Sequence, residues 1–187
     1  MRKGYDYRSL VETLCRQERE EEWFEFKSGN SNPERIGMYI SALSNSAALC
    51  EHPFGYLIWG VDDVSHNITG TAFNPKKEKK GNMDLESWLA VNLSPRVPFS
   101  FITLEFDEGR TVVILEVSAT DSQPVSFQNE EYIRVASAIQ PLKKYPETER
   151  KLWLSFERES IEAKLADSDL SIEELSSMLA RDEYFIM

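Results

Sequence analysis

Carboxylates at three separate points of the chain have the chemistry of a site for a hard cation. Glu20 and Glu25 lie five residues apart, and the pair Asp62 and Asp63 follows an apolar segment. Glu20 and Glu25 would point apart on one continuous helix or strand, so they converge only where the chain changes from helix to strand. Three oxygen ligands from separate elements suit Mg²⁺ or Mn²⁺, which can polarise a phosphodiester and lower the pKa of bound water. These residues are therefore candidate metal ligands.

Glu25 has two interpretations that the residue pattern alone leaves open. It stands between Phe24 and Phe26 in a segment typical of a buried strand, where a carboxylate needs a cation or hydrogen-bond donors. Lys27 lies on the same face of that strand. It is either only the structural ion-pair partner of Glu25 or part of a functional site, in which it offsets negative charge.

The segments around these residues predict an α+β fold, a mixed β-sheet flanked by helices with a helical C-terminal tail. Helices are predicted from the spacing of apolar residues and from caps such as Asn32 followed by Pro33, and strands from apolar or aromatic runs. The predicted helices cover residues 8–19, 33–49 and 82–93 and the chain from about 147 onward. The predicted strands cover residues 23–27, 55–61, 99–106, 111–117, 124–127 and 131–135.

Composition limits the classes of protein that the chain can belong to. Its 187 residues include 41% hydrophobic and 11% aromatic residues, enough for one domain with a sizeable core. The net charge of -11 argues against a protein that coats nucleic acid over its whole surface. Without an apolar run of membrane length or a leader-like start, we expect a cytoplasmic protein with reduced cysteines and no membrane partner.

Motifs of other active sites are missing from the sequence. Gly55 and Gly60 have the glycine spacing of a phosphate loop, but Val61 and Asp62 follow them where such a loop needs lysine and a hydroxyl residue. A nucleotide hydrolase of that kind is therefore not expected. His52 and His66 are too few for a histidine-rich zinc site, and we interpret His52 as a loop residue.

One dense basic cluster is a candidate for contacts with a nucleic-acid backbone. It contains Lys76, Lys77, Lys79 and Lys80, in a segment that predicts a loop. The alternative is an ordinary solvated surface loop, and the sequence leaves both interpretations open. Three further basic residues extend the candidate nucleic-acid surface: Arg134, Lys143 and Lys144.

Five motifs in this order resemble the Schlafen AlbA_2 domain over roughly residues 8–153. They are Glu20-x4-Glu25-Phe26-Lys27, the segment 40–46, the segment 55–63 that ends in Asp62 and Asp63, the segment 68–70, and Tyr132-Ile133-Arg134 with Gln140-Pro141-Leu142. Residues 47–54 depart from the family pattern, because that turn is longer and lacks one glycine. The animal members pair two such domains, whereas this chain has one.

The resemblance implies a metal-dependent endoribonuclease that acts on structured RNA such as tRNA. It assigns the metal and the catalysis to Glu20, Glu25 and Asp63, with Asp62 as the less favoured neighbour, and it implies Mg²⁺ or Mn²⁺ as the cofactor. The main alternative is a catalytically silent module that binds nucleic acid or regulates. Another is an assembly subunit of a larger complex, of the defence or toxin type, whose partner performs the chemistry.

The C-terminal segment is predicted to form a separate acidic helical tail. We divide the chain into a domain of residues 1–155 and a tail of residues 156–187. Ser171 and Glu174 form a capping box, and Leu175, Met178 and Leu179 follow at helical spacing. Such a stripe packs either on its own domain or on a partner. We expect self-association or binding to a partner protein through the tail, weakened by deletion of residues 168–187.

Overall fold

Two four-stranded sheets with one long helix between them form the framework of the protein. The computed structural model describes residue 2, residues 4–29 and residues 32–167, with side chains as far as residue 158. The first sheet has the strand order β1-β2-β7-β6; β1 and β2 are parallel and the other pairs antiparallel. The second sheet is antiparallel, with the order β10-β9-β8-β5. The predicted α+β class with a mixed sheet is confirmed.

Most elements lie close to their predicted bounds, with two differences: the first helix ends at Cys15 and not at residue 19, and Lys79 and Lys80 of the predicted loop form a short strand. The helices are α1 (Tyr7–Cys15), α2 (Pro33–Leu49), α3 (Leu85–Val91) and α4 (Pro146–Asp167). The strands are β1 (Phe24–Lys27), β2 (Phe54–Trp59), β3 (Lys79–Lys80), β4 (Met83–Asp84), β5 (Leu93–Ser94), β6 (Phe99–Glu105), β7 (Thr111–Ser118), β8 (Ser126–Phe127), β9 (Glu130–Val135) and β10 (Ala138–Pro141).

Helix α2 is buried on nearly all sides because it lies between the two sheets. The Asn32 side chain accepts a hydrogen bond from the Arg35 N–H, and Pro33 opens the helix, as predicted. The expected apolar residues are buried, and polar Ser41, Ser44 and Asn45 are fully buried as well. Their hydroxyl and amide groups therefore need protein partners, which the carbonyl oxygens of Val125, just before β8, and of Ser118, at the end of β7, supply.

The prediction of one sheet for all the strands is wrong. The segments at 124–127 and 131–135 form β8 and β9, which belong to the second sheet and do not extend the first. The physical reason is the burial of α2, whose two sides contact β2 and β7 on one hand and β8 and β9 on the other. The buried polar side chains on one side of α2 need hydrogen-bond partners, and the backbone of a second sheet on that side supplies them.

Helix α4 passes through the predicted domain boundary near residue 155 without a break. Leu152 and Phe156 are buried against Ile133 and Leu142, so the start of the helix packs on the second sheet. The predicted capped segment and the apolar stripe of the tail lie outside the described residues, and assembly through the tail stays a prediction. In the described part of the chain, no helix combines the length and the apolar character needed to cross a membrane.

The closeness of α2 to β2 gives a testable prediction at Gly55. A Cβ atom there would lie 2.8 Å from the carbonyl oxygen of Leu43, so alanine forces the helix and the strand apart. We expect Gly55→Ala to lower the free energy of unfolding by about 1–3 kcal/mol in a urea titration. Gly29→Ala is the matched control, because a Cβ atom at Gly29 has no neighbour within 4 Å. Equal stability of the two variants would contradict this packing.

Candidate carboxylate site

The site begins with the outer edge of strand β1, which side chains complete in place of another strand. β1 pairs with β2, and no other described strand pairs with it. The Phe26 N–H donates to Glu20 Oε1 at 2.7 Å, and the Phe24 carbonyl oxygen accepts a hydrogen bond from the Arg134 guanidinium. Unpaired backbone groups at an edge need such partners. The edge of β1 therefore brings Glu20 and Arg134 to one place.

Arg134 joins the two glutamates that the spacing predicted to converge. Its Nη2 group donates to Glu25 Oε2 and, at 3.2 Å, to Glu20 Oε2. Its Nη1 group also donates to the Glu21 carbonyl oxygen at 2.8 Å. The Arg134 side chain has no exposed surface, and Nε has no hydrogen-bond partner among the described residues. One buried guanidinium thus holds both carboxylates.

The polar side of α2 fixes the strand that carries Arg134. The Arg134 N–H donates to Ser46 Oγ at 3.0 Å, and the Tyr132 N–H donates to Ser41 Oγ at 3.0 Å. Asn45 Nδ2 donates to the Tyr132 carbonyl oxygen at 2.8 Å. These bonds lock β9 against the helix, so the guanidinium enters the site from a rigid element.

Glu25 has two more partners on its other oxygen atom. Lys27 forms an ion pair with Oε1, and the Tyr39 hydroxyl donates to the same atom at 3.0 Å. Phe24 and Phe26 point to the opposite face of β1 and pack in the core under α1, as predicted. Glu25 is 2% exposed, so its charge depends on Arg134, Lys27 and Tyr39.

The surroundings shift the pKa values of the two glutamates in opposite directions. Burial alone would raise the pKa of Glu25, but Arg134, the hydrogen bond with Glu20 and the Lys27 ion pair hold it below its ordinary value. Burial first, and then the hydrogen bond to ionised Glu25, raises the pKa of Glu20 to about 7. Two carboxyl groups with separated pKa values are suited to different roles in proton transfer.

The raised pKa of Glu20 predicts that the protein loses stability as the pH rises. The folded protein holds this proton more tightly than the unfolded chain, so the free energy of unfolding falls between the ordinary pKa of 4.5 and about 7. Glu25 acts in the opposite direction, and its contribution is lost as the pH falls below its ordinary pKa of 4.5 through the lower folded value. Between these two pH values the free energy of unfolding of the wild type should fall by about 1–3 kcal/mol because of Glu20, and Glu20→Gln should not show this decrease. Urea denaturation at several pH values measures it.

A control and a contrary outcome make this pH prediction specific. Glu18 lines the same cleft as Glu20, and no described side chain is shown to bind it. Glu18→Gln is therefore the control for the loss of one carboxylate from this cleft lining. If Glu20→Gln loses as much stability as the wild type between the same two pH values, Glu20 does not carry the proton.

A cleft of about 580 Å³ lies beside the glutamates and contains Glu20 and Asp63 in its lining. Its other lining residues are Glu18, Arg19, Glu21, Glu22, Val64, His66, Ala136 and Ser137. Glu25 does not line it. Asp62 instead closes a turn, because its Oδ1 accepts from Ser65 N at 2.7 Å and from Ser65 Oγ at 2.8 Å. Of the two aspartates, Asp63 is the one that faces the cleft.

The three predicted metal ligands do not form a metal site in this arrangement. Glu20 and Asp63 offer hard oxygen atoms to the cleft, but Glu25 is buried behind them with its oxygens bound to Arg134, Lys27 and Tyr39. Among the described residues, no three His, Cys, Asp or Glu side chains come close enough to hold one ion. The guanidinium of Arg134 is the cation that Glu20 and Glu25 share, so the residues present do not fit a three-carboxylate metal centre.

The predicted basic residues lie in three different environments. The four lysines Lys76, Lys77, Lys79 and Lys80 are exposed, and Lys80 forms an ion pair with Glu34 in the first turn of α2. Lys143 and Lys144 are exposed beside α4, and Lys143 pairs with Glu130 at 2.5 Å. Arg134 differs from the prediction, because it is buried in the carboxylate site and has no surface to offer to a phosphate.

Several residues that build the site were missed at the level of the sequence. Tyr39 donates to Glu25, and Ser41, Asn45 and Ser46 position β9. Their signal is a run of small polar residues on a helix face that the apolar spacing otherwise assigns to the core. Such a run indicates that the face packs against backbone groups.

Comparisons with known proteins support the order of the sequence motifs. The profile of the family described as Schlafen, AlbA_2 matches residues 20–143, which is more than half of the chain. A comparison with curated proteins finds no match. Among solved structures, the chain is similar to the DIP2311 protein of Corynebacterium diphtheriae, with 17% sequence identity and a TM-score of 0.47. This similarity covers 71% of the present chain and 26% of the other, so the chain spans about a quarter of that protein.

Proposed function

The chain belongs to the Schlafen AlbA_2 family, which supports a nucleic-acid-related function, and from this premise we propose that it is an endoribonuclease. The proposed substrate is structured RNA such as tRNA, and the proposed site is the cleft with Glu20 and Asp63 in its lining. Mg²⁺ or Mn²⁺ is the proposed cofactor, and Asp63 with Glu20, but not the buried Glu25, would offer it oxygen atoms at the cleft. RNA is accordingly the proposed partner.

One observation supports this proposal above the others. Glu20 and Glu25 come from a loop and a strand, yet both bind the same guanidinium, and Glu20 remains 13% exposed toward the cleft shared with Asp63. A structural ion pair between Glu25 and Arg134 would not need a second carboxylate with a strongly raised pKa. The extra carboxylate at the cleft is what a proton-transfer site requires.

The protein's own residues supply an acid–base group of suitable strength. With a pKa of about 7, Glu20 exchanges its proton near neutral pH. In its ionised form it accepts the proton of the hydroxyl group that attacks phosphorus, while the leaving oxygen takes a proton from solvent. Arg134 and Lys27 keep Glu25 ionised, and the negative charge of Glu25 makes ionised Glu20 a stronger base than an ordinary carboxylate. No step is assigned to a metal ion, because the described carboxylates do not form a three-ligand centre for one.

The same pairing favours a second candidate, a catalytically silent module that binds nucleic acid. Glu25 is neutralised on both oxygens by Arg134 and Lys27, and five carboxylates around the cleft repel phosphate when no cation is bound. In this candidate the carboxylate site is structural, and RNA binds through the lysines alone.

An assay that measures binding and cleavage together separates the two candidates. Total tRNA is incubated with the protein in Mg²⁺, in Mn²⁺ and in chelator, and shifted and cut RNA are quantified in parallel. Cleavage that requires a divalent cation supports the endoribonuclease with its cofactor. Cleavage in chelator supports the enzyme and rejects the cofactor, and a shift without cleavage supports the silent module.

The basic loop gives a prediction about the dependence of RNA affinity on salt. If Lys76 and Lys77 follow phosphates, replacing both with Gln should flatten the slope of log affinity against log salt by about two units. The control is Arg96→Gln together with Lys151→Gln, which removes the same charge from two exposed residues outside the candidate nucleic-acid surface and should leave the slope unchanged. If the Lys76 and Lys77 changes leave the salt dependence of RNA affinity unchanged, the loop is an ordinary solvated surface and does not contact phosphates.

A further inference from the structure

A second buried carboxylate, outside the proposed catalytic site, lies at the bottom of an aromatic pocket. β7 places Val112, Ile114 and Glu116 on one face of the first sheet, and the two apolar residues are part of the core under α1. The Glu116 side chain is 5% exposed. A charge at such a position needs a cation and hydrogen-bond donors.

The cation is the guanidinium of Arg2. Its Nη2 and Nε groups donate to Glu116 Oε2 at 2.7 and 3.1 Å, and Nη2 also contacts the Tyr56 hydroxyl at 2.9 Å. The Tyr7 hydroxyl donates to Glu116 Oε1 at 2.9 Å. Both oxygens of the carboxylate are therefore bound.

Aromatic rings form the walls around that guanidinium. Its central carbon lies 3.6 Å from the centre of the Tyr5 ring and 4.2 Å from that of Phe54, with Tyr7 at 5.8 Å. Ring faces and a carboxylate together are the chemistry that recognises organic cations. The pocket favours a guanidinium over an ammonium group, because the Glu116 carboxylate accepts two N–H groups of one planar fork and that plane can stack on the Tyr5 ring.

Most of the pocket residues lie on helices and strands, whereas Arg2, which fills the pocket, does not. Tyr7 belongs to α1, Phe54 and Tyr56 to β2, and Glu116 to β7, so four of the five pocket residues lie on regular elements. Arg2 precedes α1 and belongs to no helix or strand, and its side chain is 33% exposed. Most of the groups that bind the guanidinium are therefore held by the folded core, whereas Arg2 itself lies outside any helix or strand and is partly exposed.

We propose that this pocket, lined by Tyr5, Tyr7, Phe54, Tyr56 and Glu116, is an arginine-binding site that the chain fills with its own Arg2. When Arg2 leaves, the pocket takes an arginine side chain of a peptide ligand. Arg2 then acts as an intramolecular competitor, because a ligand on the same chain has a high effective concentration. This proposal does not depend on the RNA-cleaving function.

The test uses the full chain with Arg2→Ala and two small probes, N-acetyl-arginine amide and N-acetyl-lysine amide. We expect calorimetry to show that the variant binds the arginine probe about tenfold more tightly than the lysine probe. The wild type should bind the arginine probe at least about tenfold more weakly than the variant does. The double variant Arg2→Ala, Glu116→Gln should lose the preference for arginine.

Three outcomes would overturn the proposal. They are no binding of the arginine probe to Arg2→Ala, equal binding of both probes, and equal binding by the variant and the wild type. If Arg2→Ala does not fold alone, the arginine probe must restore its circular-dichroism spectrum and the lysine probe must not. Failure of that rescue also rejects an arginine-binding pocket.

Discussion

Replacing Arg134 with Met should lower the free energy of unfolding by about 3–5 kcal/mol, because it leaves Glu25 charged and buried without its main partner. The guanidinium also binds Glu20 and the carbonyl oxygens of Glu21 and Phe24, so the edge of β1 loses its cover as well. Urea denaturation of Arg134→Met and the wild type measures the loss. Arg158→Met is the control, since the ion pair of Arg158 with Glu51 is largely exposed and contributes at most about 1 kcal/mol.

A double variant tests whether the loss comes from the unpaired carboxylate. Adding Glu25→Gln to Arg134→Met removes the charge that the arginine had neutralised. We expect the double variant to be more stable than the sum of the two single changes predicts, by about 1–3 kcal/mol. Simple additivity would show that Arg134 stabilises the fold through its other contacts, those with Glu20 and the two carbonyl oxygens.

The second large effect concerns Glu20 and Asp63, two of the five carboxylates that line the cleft. Glu20→Gln should slow RNA cleavage by about 10²–10⁴-fold, the range for loss of a general acid or base. Asp63→Asn should slow it by at least about 10²-fold, because Asp63 would offer an oxygen ligand to the proposed Mg²⁺ or Mn²⁺ at the cleft. Affinity for RNA should stay the same or rise, because each change removes a negative charge beside the phosphate path. Single-turnover rates and binding curves on the same RNA separate the two quantities. Glu18→Gln removes a charge from the same lining and should keep the wild-type rate.

Local patterns in the sequence were sufficient to predict the helix and the strand that lie next to the glutamates. Asn32 and Pro33 mark the start of α2 to the residue, and the aromatic alternation around Glu25 predicts which side of β1 is core. That Glu20 and Glu25 lie in different elements also follows from local patterns, but the predicted helix is too long, because α1 ends at Cys15 and Glu20 lies in the loop after it. These features depend on neighbours within a few residues, which the sequence displays directly.

The role of Arg134 could not be predicted in the same way. Arg134 lies 109 residues from Glu25 along the chain, and a charged residue on a short strand is ordinarily exposed. Its burial depends on the second sheet, and that sheet depends on α2 being enclosed from both sides. Ser41, Asn45 and Ser46 indicate that this side of α2 packs against polar groups. The sequence does not show which groups these are, because the partners are backbone atoms of β9.

The most direct test of the proposed endoribonuclease compares two neighbouring residues, Asp63 and Asp62. Asp63 lines the cleft, whereas Asp62 closes the turn with Ser65, a bond that asparagine can keep. Asp63→Asn and Asp62→Asn are assayed on end-labelled tRNA under single-turnover conditions, with thermal unfolding measured on both proteins. The proposal predicts a rate at least about 10²-fold lower for Asp63→Asn at unchanged stability, and a near wild-type rate for Asp62→Asn. A wild-type rate for Asp63→Asn would contradict it.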